Sequence, residues 1–280
     1  MRVCVARAFG PALLPQARLG WSSGPAPTRS TPPHPHTPHP NPAGFFWRIG
    51  TPPPTTAFPL LNAPPVVPAA FPQWAGVMDS WGSKLLAAAE AVAELSALGF
   101  GLPRDAFTSR MAHGPHLLAP TATDFARFGA QGTVLAGFHA DLNFVTAHGR
   151  SRFPGLYVWT RGGARVPVKI PPGCLLLQAG LQFQHLTGGH VLAGFHEVVV
   201  SEATVAGIGA AAAAGASLWR ISSTLFAHMA SDTVLEPLGA FAGAPGAGAY
   251  GAVRAGEQVA AELAAINLGE GSDGAATGAQ

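Results

Sequence analysis

The stretch VLAGFHADLNFVT, residues 134–146, decides the fold. It is rich in small, apolar and β-branched residues and reads as strand-forming. His139 and Asp141 stand two apart, so on an extended strand an imidazole and a carboxylate project from the same face. The first six letters, VLAGFH, recur unchanged at 191–196 and end on His196. The flanks do not recur: AQGT precedes one copy and TGGH the other. A solenoid or propeller repeat would carry its likeness through a whole unit, and this chain does not. What remains is two strand-like segments from distant parts of the chain, each delivering a histidine.

Two imidazoles and one carboxylate on one side of a metal leave three coordination positions open, the arrangement used for non-haem Fe(II) in oxygen chemistry. His139, Asp141 and His196 are therefore candidate metal ligands, with 54 residues between Asp141 and His196. His185 and His190, in FQHLTGGHVLAGFH, compete for the third place. His190 follows two glycines in a turn, whereas His196 opens the run HEVVV and gains the rigidity of a strand. Glu197 falls on the opposite strand face from His196. Farther on, Arg220 and Ser222 in WRISST again stand two apart. A guanidinium fork beside a hydroxyl suits the far carboxylate of a dicarboxylate. The alternative for Arg220 is a structural ion pair. His148 and His228 read as ordinary surface or pocket-lining residues.

On these residues the chain, from about 130 to 238, resembles the 2-oxoglutarate/Fe(II)-dependent dioxygenase superfamily in its isopenicillin N synthase-like branch. The likeness rests on H-x-D at His139-Ala140-Asp141, on His196, and on R-x-S at Arg220-Ile221-Ser222. FPGLYVW, VPVKIPPGCLLLQAG and LTGGHVLAGFHEVVV lie between them, and 77–110 is similar to a helical segment of that family. The resemblance implies a mainly β fold with flanking helices, a double-stranded β-helix (jelly roll) whose two ligand-bearing strands converge. It implies Fe(II) on His139, Asp141 and His196, and 2-oxoglutarate as co-substrate held by Arg220 and Ser222. The implied partners are O2 and a small organic substrate of unidentified structure, to be hydroxylated or desaturated. Two alternatives stand beside this one. The first is an isopenicillin N synthase-like oxidase that does not use 2-oxoglutarate, in which Arg220 and Ser222 grip the substrate's own carboxylate. The second is a non-catalytic, truncated relative. The chain departs from the family pattern in three ways: 24 positions separate His196 from Arg220, more than the family has. The family's tyrosine upstream of H-x-D has no counterpart in LLAPTATDFARFG, and the N-terminal region is shortened.

Composition narrows the rest. Of 280 residues 48% are hydrophobic and 11% charged, against about 25% charged in ordinary proteins. A formal net charge of +2 without a long basic run excludes the electrostatic footprint of a nucleic-acid binder. No apolar stretch reaches the roughly 18–20 residues needed to span a membrane. Two cysteines, Cys4 and Cys174, exclude a disulfide framework and fit a reducing compartment. Cys174 reads as a small buried hydrophobe, and a monomer is expected. Residues 1–44 hold TRSTPPHPHTPHPNP, four arginines and no acid. They read as a disordered low-complexity or targeting segment, so the compartment is the cytoplasm, or an organelle if they act as a transit peptide. Residues 45–129 read as a shortened N-terminal helical segment. Phe45, Phe46 and Trp47 are its first anchors, and a helix over 77–101 is capped at Ser80 or Ser83 and closed at Gly99. Residues 130–240 read as the jelly-roll domain, its short β-runs separated by RGG and PPG turns. Within it, 201–216 reads as an inserted helix capped by Ser201 and stopped by Gly215. Residues 241–280 read as a C-terminal helix over 256–268 followed by a disordered tail.

Overall fold

Strand by strand, the chain crosses back and forth between two antiparallel sheets. The structure, a computed structural model, describes residues 43–270. Of the disordered or targeting segment expected over 1–44, residues 1–42 lie outside the described residues, as does the tail from residue 271, while Ala43–Gly44 are a short strand paired with Thr121 and Ala122. In chain order come β1 (Ala43–Gly44), β2 (Trp47–Ile49), α1 (Trp74–Gly99), α2 (Thr108–Met111), β3 (His116–Asp124) and α3 (Phe125–Phe128). Then follow β4 (Val134–His139), β5 (Val145–His148), β6 (Leu156–Trp159), β7 (Arg165–Pro167), β8 (Leu176–Ala179) and α4 (Leu181–Leu186). The remainder is β9 (His196–Val199), α5 (Glu202–Ala213), β10 (Trp219–Ala227), β11 (Val234–Leu235), β12 (Val253–Arg254) and α6 (Ala255–Glu270). One sheet runs β1-β3-β10-β5-β8 with β2 also on β3, a second runs β4-β9-β6-β7, and β11 and β12 form a separate two-stranded ladder. Every pairing is antiparallel. The fold is thus mainly β with a few helices. No helix among the described residues is long and apolar enough to cross a membrane.

Strand parity divides the larger sheet into two faces. Val145, Ala147, Leu177, Leu225 and Ala227 are buried in the main core. Cross-strand pairing keeps them in line, with Ala147 opposite both Leu177 and Leu225. This face packs on α1, whose buried stripe Met78, Gly82, Leu85, Ala89, Ala93 and Ala97 has helical spacing. The alternate residues form the other face: Gln178 and Leu176 on β8, Thr146 and His148 on β5, and Thr224, Ser222 and Arg220 on β10. One sequence pattern, apolar alternating with polar, therefore builds a core on one side and a polar lining on the other.

Several expectations change. The segment 45–129, read as helical, also carries β2 and the nine-residue strand β3, which pairs with β10 along most of its length. The helix α1 begins at Trp74 without a side-chain cap, so Ser80 and Ser83 lie inside it. Of the three aromatic anchors, Trp47 is buried and donates from Nε1 to Asp79 at 2.7 Å, but Phe46 faces solvent. Cys174 is half-buried rather than enclosed. The run 134–146 is not one strand: β4 stops at His139, and the chain turns through 140–144 to enter the other sheet as β5. The helix expected at 201–216 is present as α5. Ser201 and Thr204 form its reciprocal capping box, and Gly215 follows in the left-handed region at φ +63°.

Candidate functional site

The two copies of VLAGFH meet. In the smaller sheet His139, the last residue of β4, is the pairing partner of His196, the first of β9. Their backbones differ, since the first copy is strand throughout and the second becomes strand only at His196. What they share is local. In each, the histidine Nδ1 meets the carbonyl of the glycine two residues earlier, His139 to Gly137 at 2.7 Å and His196 to Gly194 at 3.1 Å. A carbonyl only accepts, so in His139 Nδ1 carries the proton and the Nε2 lone pair is left free, whereas His196 Nδ1 also faces the Gln178 amide nitrogen at 2.7 Å and finds a partner in either tautomer. The intervening phenylalanines, Phe138 and Phe195, stack on one another with centroids 4.9 Å apart. The glycines differ in their surroundings: a side chain at 194 would strike Gln178, whereas Gly137 has open space. Space therefore demands a small residue only in the second copy, and there against a side chain rather than a neighbouring backbone.

Both Nε2 atoms face one carboxylate oxygen. Asp141 Oδ1 lies 3.5 Å from His139 Nε2 and 3.8 Å from His196 Nε2. The three ligand atoms fall within 4.8 Å of one another. Donors at about 2.1 Å from one ion and at right angles to each other stand ~3 Å apart, so the set is sized for a single divalent metal. The other oxygen, Oδ2, accepts from the Thr146 hydroxyl at 2.6 Å, which fixes the carboxylate plane. Asp141 is not on a strand with His139; it sits in the turn after β4, where its carbonyl accepts from the Leu181 amide at 2.8 Å. The turn, rather than strand parity, brings the two side chains together. Burial would raise the Asp141 pKa, but the neighbouring histidines and Thr146 outweigh it and hold it down to about 2. Burial also pulls on His139, yet Asp141 and the Gly137 carbonyl prevail and keep it above its ordinary value. His196, more enclosed, is lowered by burial. The side of the site toward His139 is the open one: its side chain is 45% exposed against 5% for His196.

Gln178 closes over the buried histidine, its amide nitrogen 2.7 Å from His196 Nδ1 and hydrogen-bonded to the Gly194 carbonyl. On β10, Arg220 and Ser222 share the lining face as expected, with Nη1 3.5 Å from the Ser222 hydroxyl. Ser222 in turn meets Thr121 Oγ1 of β3 at 2.7 Å. Arg220 is buried, and burial lowers its pKa to about 10. Among the described residues no carboxylate forms an ion pair with it, so the structural ion pair considered for it is not found. Its Nε is sealed from solvent without a hydrogen-bond partner, as are Gln178 Oε1 and His148 Nε2 on the same lining face. Buried polar atoms are rarely left so, and several in one place mark where a polar ligand belongs.

The other histidines separate cleanly. His185 Nε2 meets the Gly251 carbonyl at 2.8 Å and His190 packs against Phe100 and Phe241, so neither competes for the cluster. Glu197 turns away, as expected, to pair with Arg165 at 2.6 Å. His228 is buried rather than at the surface, and His148 lines the site. Phe144, Phe153 and Phe183 are core residues.

No protein-family model and no curated protein matches the chain. Solved structures do. A protein from Caulobacter crescentus assigned to the 2OG-Fe(II) oxygenase family is 27% identical, with a TM-score of 0.66 over 79% of this chain and 69% of that one. The chain has the fold of the 2OG-Fe(II) oxygenases. A full-length protein of Neurospora crassa, solved in complex with alpha-KG, superposes with a TM-score of 0.60 at 19% identity, over 72% of this chain and 62% of that one. A protein from Shewanella oneidensis described as an oxygenase gives 0.51 at 19%, over 73% and 68%. These last two speak to the fold alone. Within a 2OG-Fe(II) oxygenase fold, the His139–Asp141–His196 cluster is a donor set that can hold iron. Thr146, Gln178 and His148 were not singled out as site residues from the sequence. The available signal was parity, because Thr146 and His148 alternate with the core residues Val145 and Ala147.

Proposed function

We propose that the chain is a non-haem Fe(II) dioxygenase that couples decarboxylation of 2-oxoglutarate by O2 to oxidation of a small organic substrate. The observation that carries this reading is the convergence of two histidine Nε2 atoms and Asp141 Oδ1, together with a buried arginine on the site's lining face that no carboxylate among the described residues pairs with. His139, Asp141 and His196 would hold the metal, with Thr146 and Gln178 fixing the Asp141 and His196 side chains. Iron bound there supplies the redox chemistry with O2 that side chains lack. The Arg220 fork and the Ser222 hydroxyl suit the far carboxylate of 2-oxoglutarate. Asp141 and His196 are enclosed, and the exposed flank of His139 leaves that side of the cluster open to substrate. The chain's alternation between two antiparallel sheets supports reading them as one double-stranded β-helix, and the ligand spacing is in keeping with the isopenicillin N synthase-like branch. On this reading 45–129 and 241–280 flank a jelly-roll unit at 130–240, to which β3 adds a strand.

The test is O2 uptake and succinate release from 2-oxoglutarate by protein reconstituted with Fe(II). Arg220→Lys keeps the charge and loses the fork. It should raise the 2-oxoglutarate requirement at least tenfold while leaving Mn(II) affinity within about twofold. O2 uptake without succinate would favour an oxidase that does not use 2-oxoglutarate. Failure of the wild type to bind Fe(II) or Mn(II) would remove the catalytic reading altogether.

A further inference from the structure

On β5, His148 follows Thr146 on the lining face, and its pairing partner on β10 is Thr224. Ser222 is the next lining residue of β10, and the Arg220 guanidinium reaches back over it. His148 therefore stands between the metal-ligand cluster and the arginine. Its ring centroid is 6.0 Å from that of His196, and its charge state is coupled to Asp141, His196, Arg220 and His139. It is not part of the cluster of ligand atoms. Burial pushes its pKa down to about 4, against the pull of Asp141 and with the positive groups around it. One nitrogen, Nδ1, meets the Thr224 hydroxyl at 3.4 Å; the other, Nε2, is shut away from solvent with no partner.

We propose that His148 is a third donor to the co-substrate: its Nε2–H hydrogen-bonds the carboxylate of 2-oxoglutarate that Arg220 and Ser222 hold. This rests on the reading of the site given above. In this arrangement the Thr224 hydroxyl donates to Nδ1, which fixes the tautomer with the proton on Nε2. An N–H donor on the same lining face as the arginine adds a directed contact to a carboxylate. It also satisfies the orphaned nitrogen only when the diacid is bound.

Titration of Mn(II)-loaded protein with 2-oxoglutarate tests this. His148→Leu keeps much of the volume and removes the donor, so binding should weaken roughly tenfold, as expected for one hydrogen bond to a charged acceptor. His148→Gln restores an N–H at nearly the same reach and should recover most of the loss. The ligand 2-oxobutyrate, which lacks the far carboxylate, should bind the wild type and His148→Leu equally well. Mn(II) affinity and melting temperature should stay within error in both variants. Equal binding of 2-oxoglutarate to wild type and His148→Leu would overturn the inference alone. So would equal losses for 2-oxoglutarate and 2-oxobutyrate, or a loss of Mn(II) affinity. A wild type that takes up Mn(II) but never 2-oxoglutarate would overturn the reading of the site together with it.

Discussion

The same substitution should be costly in one copy of VLAGFH and nearly silent in the other. A Cβ at Gly194 would lie 2.7 Å from Gln178 Cγ, 2.8 Å from Nε2 and 3.0 Å from Cδ. Gln178 cannot swing aside cheaply, since its amide is pinned against His196 Nδ1 and the Gly194 carbonyl and the residue is buried. Overpacking of this kind costs about 1–3 kcal/mol. At roughly 2–4 °C per kcal/mol for a domain of this size, Gly194→Ala should melt about 2–12 °C below the wild type. Gly137→Ala meets nothing within 4 Å, and its change in stability should stay within about 0.5 kcal/mol. Neither glycine has positive φ, so space alone decides. Because Gln178 also steadies His196, Gly194→Ala should weaken Mn(II) binding by about 10–100-fold, with Gly137→Ala near wild type. Thermal unfolding by circular dichroism and Mn(II) titration read both effects. Equal melting temperatures for the two variants would refute the packing argument, and full Mn(II) affinity in a destabilised Gly194→Ala would refute the role given to Gln178.

Two further outcomes follow from buried charge. Arg165 pairs with the buried Glu197 at 2.6 Å and lies over the Tyr157 ring at 3.5 Å. Arg165→Met strands the carboxylate and should cost about 1–3 kcal/mol, less than a fully enclosed pair because Arg165 is itself partly exposed. Urea unfolding should then show most of that stability regained in Arg165→Met/Glu197→Leu; a double variant no better than the single one would count against the pair. His116 and His228 are buried and lowered to about 4 and about 3, chiefly by burial, with the Arg48 charge acting on His116. Folded pKa values below the unfolded one mean that the unfolded chain binds more protons at acid pH. Their contribution to stability is complete above about pH 6.5 and declines toward pH 4, by up to about 1.4 kcal/mol per pH unit for each ring. His116→Asn keeps an acceptor for the His228 amide. It should flatten the melting-temperature profile between pH 6.5 and 4.5, and an unchanged slope would show that His116 does not carry it.

The metal-ligand candidates were legible because their chemistry fixes residue type: few side chains other than histidine and aspartate present a lone pair with that geometry. Arg220 and Ser222 were legible by parity, since β10 is a regular strand. Asp141 was reached for a partly wrong reason, because a turn rather than a strand delivers it. Thr146, Gln178 and His148 act through register, Thr146 lying opposite Gln178 and His148 opposite Thr224. No local pattern in the sequence encodes which residues of distant strands stand side by side. The strand β3 escaped notice because Pro120 breaks its pattern, yet the strand continues through it with β2 on one side of the proline and β1 on the other. The start of α1 was misplaced because Ser80 and Ser83 look like caps, whereas the packing of Met78 extends the helix upstream of both.

The helix α5 carries the chain from β9 in the smaller sheet to β10 in the larger one, between His196 and Arg220. It is held at its start by the Ser201–Thr204 box and by Thr204 Oγ1 donating to the Pro154 carbonyl at 3.1 Å. Ile208 and Ala211 rest on a small cluster around Phe125, Phe153 and Val200, and most of the rest is exposed. No hydrogen bond or ion pair joins a residue of α5 to His139, Asp141 or His196. The number of residues between the second histidine and the arginine is therefore free to drift over evolutionary time, provided that the exit from β9 and the entry to β10 stay where they are. A sequence pattern that demands a fixed count there will pass over chains like this one, and the outer turns of α5 are the natural place to graft a loop, a tag or a reporter domain.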